Sequence, residues 1–217
     1  MAVWQERAEL LFKEEGLEKL KNSNVLIVGL GGVGSFAAEF IARAGVGKMT
    51  IVDGDTVDIT NINRQLPALH STVGQNKVDL VGDRLMDINP ELQLTRINEF
   101  LSPERTHEIV TTDFDYVLDC IDSVTPKVNL IIAAKRKKVK VISNMGAGGK
   151  FLASKVQVRD ISKTDVCPLA KNIRKRLKQE KISKGVKAVF STEAPDETSV
   201  KLTDGKKIIT TKKNRHY

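Results

Sequence analysis

Gly29-Leu30-Gly31-Gly32-Val33-Gly34 has the G-x-G-x-x-G spacing, with a fourth glycine inside it. Glycines so placed let the backbone come close to phosphate oxygens, while a following helix offers unpaired N–H groups and the positive end of its dipole. Asp53 stands 22 residues after Gly31, where a carboxylate would meet ribose hydroxyls. The chemistry implied is nucleotide binding, with ATP and a nicotinamide cofactor both open at this point.

Residues further along favour a triphosphate. A hydride-transfer enzyme typically needs a general acid, often His, yet His70, His107 and His216 have no partner spacing and suit a surface. Arg64, after Asn61-Ile62-Asn63, and Lys77, at the start of a helix, are cations just past the nucleotide-binding unit. A lysine does not help a helix start, so a phosphate clamp accounts for it better than solvated surface charge. Asp119-Cys120-Ile121-Asp122 ends a buried strand. There Asp122 could ligate a hard divalent cation beside the phosphates, or cap the helix that begins near Ser123.

The elements that must hold these residues alternate along the chain. A near-continuous apolar run at 24–30 suits a strand buried on both faces, 116–120 reads as another buried strand, and 48–52, 93–100 and 139–143 read as further strands. Helical stretches at 35–44, 75–89, 103–110 and 124–136 separate them, and later elements are a strand at 155–160, a helix at 168–179 and a strand at 186–190. The expected fold class is α/β, a Rossmann-like doubly wound and mostly parallel sheet with helices on both faces. One domain over residues 1–193 is expected, with an N-terminal helical arm at 1–22. Residues 194–217 read as a polar, basic tail on which no structure is forced.

Composition narrows the class. The 217 residues are 41% hydrophobic and 29% charged, which excludes a disordered or collagen-like chain. No apolar run is long enough to span a membrane, the first ten residues do not resemble a signal peptide, and two cysteines make neither a disulfide framework nor a four-cysteine zinc site. The expected compartment is the cytoplasm. Of the net charge of +8, +5 falls within residues 201–217, so overall charge is a weak argument for a polyanionic partner.

In order, VLIVGLGGVGS, the DGD at Asp53 to Asp55, NINRQ at Asn61 to Gln65, Lys77 and DCIDS at Asp119 to Ser123 resemble the ubiquitin-activating-enzyme-like adenylyltransferases. Trp4 to Arg7, Ser143 to Lys150, Pro168-Leu169-Ala170 leading to Arg174-Lys175-Arg176-Leu177, and Val189 to Glu193 are similar to the tRNA threonylcarbamoyladenosine dehydratases within them. The similarity covers residues 4–193, and Thr198 to Tyr217 departs from the family's continuation.

That resemblance implies an ATP-dependent ring closure. The threonine carboxylate of the modified base attacks the α-phosphate, pyrophosphate leaves, and the carbamoyl group captures the acyl-adenylate. By motif, Gly29, Gly31, Gly32, Gly34, Asp53 and Asp55 would line the nucleotide, with Asp53 on the ribose. Arg64 and Lys77 would hold the phosphates, Asn61 would orient them, and Asp122 would hold Mg2+. Arg7 matches an N-terminal arginine that reaches the partner subunit's ATP site, so a homodimer is implied. The partners implied are tRNA carrying threonylcarbamoyladenosine and a sulfur-transfer (cysteine desulfurase) system.

Two alternatives stay open. One is adenylation of the C-terminal glycine of a ubiquitin-like sulfur carrier, although those activators usually carry paired C-x-x-C zinc motifs and this sequence has none. The other is a non-catalytic nucleotide-binding protein. Cys120 reads as core packing, and Cys167, in a loop, could be exposed. On helix 168–179, Leu169, Ile173 and Leu177 form the expected buried stripe. Lys171, Arg174 and Lys178 form an exposed basic face suited to tRNA phosphates or simply to solvent. The cluster Lys135 to Lys138 with Lys140 ends a helix, where cations suit the dipole.

Overall fold

Val25 to Val28 are all buried, so strand β1 (Asn24–Val28) must be covered on both faces. In the computed structural model, which describes residues 3–195, 201–203 and 206–208, it lies inside a seven-stranded sheet. The neighbouring strands are β2 (Lys48–Val52), β3 (Gln93–Ile97), β4 (Tyr116–Asp119), β5 (Lys140–Asn144), β6 (Val156–Asp160) and β7 (Lys187–Ser191). Their order is β3-β2-β1-β4-β5-β7-β6, parallel except for the antiparallel β6–β7 pair.

Side-chain alternation sorts the core into two layers. Val25 and Ile27 of β1, with Met49 and Ile51 of β2, pack towards α2 (Gly34–Arg43) and α3 (Lys77–Ile88). Leu26 and Val28, with Val52, Val117 and Val141, join the layer containing α5 (Val124–Arg136) and α6 (Pro168–Gln179). A short helix α4 (Pro103–Ile109), capped by the Ser102 hydroxyl on the Arg105 N–H, packs beside α5. Helices thus cover both faces, the doubly wound arrangement the alternation implied.

The strand order reverses between β1 and β4, which are adjacent although far apart in sequence. At such a switch point the two connections leave on opposite faces and open a crevice outside the carboxyl ends. Gly29 to Gly34 emerges from one of these strands and Cys120 to Ser123 from the other.

Several boundaries differ from expectation for local reasons. β1 stops at Val28 rather than Leu30, because Gly29 turns the chain in the left-handed region at φ 92°. The N-terminal arm is helix α1 (Glu6–Lys21), broken at Lys13, where φ is 60°. Beyond Glu193 the chain is not wholly without structure. Lys201–Thr203 (β8) and Lys206–Ile208 (β9) pair as an antiparallel ribbon, whereas His216 lies outside the described residues. No helix among the described residues is long and apolar enough to cross a membrane.

Candidate functional site

The glycine turn is fixed by what surrounds it. The Gly29 N–H donates to the Val52 carbonyl at 2.8 Å, and a Cβ there would lie 2.8 Å from the Cys120 carbonyl oxygen. Gly34 is tighter, since a Cβ would fall 1.7 Å from the Gly29 carbonyl. These two glycines are therefore needed to fold the turn. A Cβ on Gly31 would meet nothing nearer than the Gln65 amide at 3.7 Å, and one on Gly32 would approach the Arg64 carbonyl at 3.2 Å. Steric fit tolerates a small side chain at Gly31, so its bareness keeps backbone open towards the crevice. Helix α2 begins there with no side-chain cap and no acid in its first turn, leaving its positive end uncompensated.

Asp53, at the end of β2, is tied to that turn. Its carboxylate accepts the Leu30 N–H at 2.6 Å and the Asp55 N–H at 2.8 Å. Burial pushes its pKa up, and those two bonds with the nearby Lys77 ammonium oppose the rise. Each carboxylate oxygen keeps a further lone pair for a hydroxyl. Lys77 opens α3 as expected but is almost wholly buried, its ammonium 3.3 Å from the Asp55 carboxylate. A buried lysine held by one carboxylate is a charge ready to exchange partners for phosphate.

Arg64 packs its stem against Gly32. Its guanidinium is exposed and donates to the Thr60 carbonyl and to the Asn63 side chain at 2.8 Å. Asn61 is buried, and its side-chain oxygen accepts the Asp58 N–H at 3.2 Å, closing a 3₁₀ turn over Ile59–Asn61. Gln65 was not singled out in the sequence. It is 9% exposed, and its side-chain oxygen is the one buried side-chain polar atom without a partner among the described residues. The nitrogen of the same amide is what faces Gly31, and an orphaned buried acceptor on that side chain fits a site shaped for a polar ligand.

Asp122 is exposed on the loop between β4 and α5. It does not cap α5, because Ser123 holds that position and makes no side-chain capping bond. No three His, Cys, Asp or Glu side chains gather as a metal cluster among the described residues. A cation here would rest on the Asp122 carboxylate, nucleotide oxygens and water, a donor set that suits magnesium.

Arg7 lies elsewhere. Gln5, two residues before it, packs on Gly45 in the turn that leads into β2, at the amino edge of the sheet. One strand length, about 17 Å for five residues, separates that edge from the glycine turn. Arg7 is exposed there, away from its own chain's crevice.

The cysteines divide unexpectedly. Burial pushes the Cys120 thiol up to about 12, with the Asp119 charge adding to the rise, in keeping with packing rather than thiolate chemistry. Cys167, expected in an exposable loop, is instead 3% exposed and part of the core. The basic face of α6 is also corrected. Lys171 and Lys178 are exposed, but Arg174 is half-buried and donates to the Thr164 carbonyl at 2.8 Å and to the Thr164 hydroxyl. Lys171, Lys175 and Lys178 line a hollow of about 360 Å³ with Ser162 and Ser183. In the cluster at the end of α5, Lys135 and Lys137 donate to backbone carbonyls, Arg136 pairs with Glu180 and Lys140 lies over the Tyr116 ring. Those cations close the fold.

Comparison with known proteins converges on one group. Residues 5–204 match the model of the ThiF family. The tRNA threonylcarbamoyladenosine dehydratase of Bacillus subtilis is 48% identical over 189 residues, covering 87% of this chain and 74% of the relative. That of Escherichia coli is 40% identical, covering 88% and 75%. Its crystal structure in complex with ATP superposes with a TM-score of 0.85 at 39% identity, over 90% of this chain and 84% of that one. The chain therefore belongs to the ThiF family and, within it, to the tRNA threonylcarbamoyladenosine dehydratases.

Proposed function

We propose that the protein adenylates the threonine carboxylate of threonylcarbamoyladenosine in tRNA and closes it to the cyclic form, consuming ATP. The observation that carries this reading is the crevice itself. A bare glycine turn, an uncapped helix start, the locked Asp53 and the stems of Arg64 and Gln65 converge at the β1–β4 switch point. A relative sharing 39% of its residues has been crystallised with ATP.

In this reading ATP lies across the glycine turn with its ribose on Asp53. Arg64 and Lys77 grip the phosphates, Lys77 leaving Asp55 as they arrive. A carboxylate is a poor electrophile, and transfer of AMP to it creates a leaving group. The threonine carboxylate oxygen attacks the α-phosphorus and pyrophosphate departs. The carbamoyl group then closes on the activated carbonyl carbon and AMP leaves, so the nucleoside loses one water. Arg64, Lys77 and Asn61 stabilise and orient the negative charge that builds on the phosphates. Asp122 would hold Mg2+, which neutralises phosphate charge.

The catalytic unit spans residues 1–193 and works as a homodimer in the cytoplasm. Arg7, remote from its own crevice, serves the partner's site. Lys171, Lys175 and Lys178 on α6 receive tRNA phosphates, and a sulfur-transfer system is a further partner. Mass spectrometry of nucleosides from modified tRNA incubated with enzyme and ATP tests the reaction. Loss of one water from threonylcarbamoyladenosine is expected; unchanged nucleoside with ATP turnover on a sulfur carrier would refute it.

A further inference from the structure

A fully buried ion pair lies at the carboxyl ends of β4 and β5. Lys127 and Asp119 are both 0% exposed, with ammonium and carboxylate 2.7 Å apart. The same ammonium donates to the Asn144 carbonyl at 2.8 Å and reaches the Ser143 hydroxyl at 3.4 Å. Ser143 donates in turn to Asp119, whose other oxygen accepts the Ile121 N–H at 3.1 Å. Every donor of the lysine is used.

Packing alone does not call for this residue. Lys127, Leu130, Ile131 and Ala134 form the buried stripe of α5, and a leucine at the first position would continue it. A buried ion pair is weak evidence for stability, because desolvation offsets the attraction and apolar replacements are often neutral or better. What the lysine supplies is three directed bonds from one atom. They join the first turn of α5 to the carboxyl ends of β4 and β5. The first end continues into Cys120–Ser123, which abuts Gly29 and Gly34 and carries Asp122. The second continues into the Met145–Lys150 loop, whose far side is held where Glu193 accepts the Phe151 and Leu152 N–H groups.

We propose that Lys127 is a positioning residue, a buried three-way clamp that fixes the loops after β4 and β5 relative to one another across the crevice. The proposal rests on reading that crevice as the adenylation site. Arg64 and Lys77 hold the phosphates from other elements, so the clamp acts on alignment more than on ATP affinity. Misplacing reacting groups by an ångström can slow a reaction about 100-fold.

The test uses the full chain with Lys127→Leu and Asp119→Asn combined, which removes the clamp without stranding a buried charge. The double variant is expected to fold, with an ATP Kd within about threefold of wild type and AMP formation on modified tRNA reduced about 100-fold. Backbone amides of 120–123 and 145–150 should exchange at least about tenfold faster, while β1 and β2 stay protected. Wild-type exchange in both loops, or a wild-type kcat in the folded double variant, overturns the proposal. Should the double variant not fold, Ser143→Ala removes one corner, and unchanged exchange in both loops is equally fatal. A wild-type enzyme inactive on modified tRNA would refute the function, while loop exchange would still decide the clamp.

Discussion

The Asp53 carboxylate and the Leu30 N–H lie 2.6 Å apart, so the end of the second strand sets the shape of the turn that follows the first. In the proposed reading the same side chain also meets the ribose. Asp53→Ala is expected to destabilise the protein by about 1–3 kcal/mol, by leaving the Leu30 and Asp55 N–H groups without their acceptor, and to abolish ATP binding. Asp53→Asn should recover part of the stability, because its amide nitrogen cannot accept. Chemical denaturation and ATP titration of the two variants measure the two effects separately.

The four glycines of the turn are not equivalent. Gly34→Ala places a methyl group against the Gly29 carbonyl and is expected to cost several kcal/mol or prevent folding. Gly31→Ala has room, so its melting temperature should stay near wild type while ATP affinity falls. Equal loss of stability in both variants would show that Gly31 is needed for the turn itself.

The guanidinium of Arg64 makes only exposed hydrogen bonds to its own turn among the described residues. Arg64→Ala should change stability by less than about 0.5 kcal/mol while reducing pyrophosphate release on the order of 100-fold or more. Parallel thermal melts and pyrophosphate assays separate a phosphate ligand from a surface charge, which would leave the rate untouched.

Much of this was legible because it is local. The apolar run before Gly29, the glycine spacing and Asp53 just after β2 all fall between residues 24 and 53, and burial on both faces leaves its mark on composition. The pieces left unread depend on contacts that no period encodes. Lys127 looks like an ordinary polar residue near the start of a helix, yet Asp119 and Ser143 enclose it from two different strands. Arg174 sits at basic-face spacing but turns back to Thr164. Cys167 is drawn into the core as α6 packs beside α5. Gln65 was visible in its motif, but its missing partner is a property of three-dimensional crowding.

Glu39 gives the acid limb of stability a definite sign. Its carboxylate joins Arg84 of α3 to Arg43 of α2, and the Arg84 hydrogen bond leads the effects that lower its pKa below the ordinary 4.5. A depressed folded pKa contributes stability above the unfolded value and loses it as pH falls through the folded one. Wild type should therefore melt above Glu39→Gln at neutral pH, and the gap should close below 4.5. A gap that widens on acidification would contradict the assignment.

Arg7 follows Gln5, which packs on Gly45 at the amino edge of the sheet, whereas Lys77 opens α3 beside Asp55. If Arg7 completes the partner's site, Arg7→Ala and Lys77→Ala should each be inactive alone. A mixed dimer, however, carries one site with both residues intact and one with neither. Equal mixing with subunit exchange makes half of the dimers mixed, so activity should return to about a quarter of wild type. The recovery should grow with the time allowed for exchange and vanish when exchange is blocked by cross-linking each variant beforehand. No recovery from two folded, exchanging variants would show that Arg7 does not act on the partner's site.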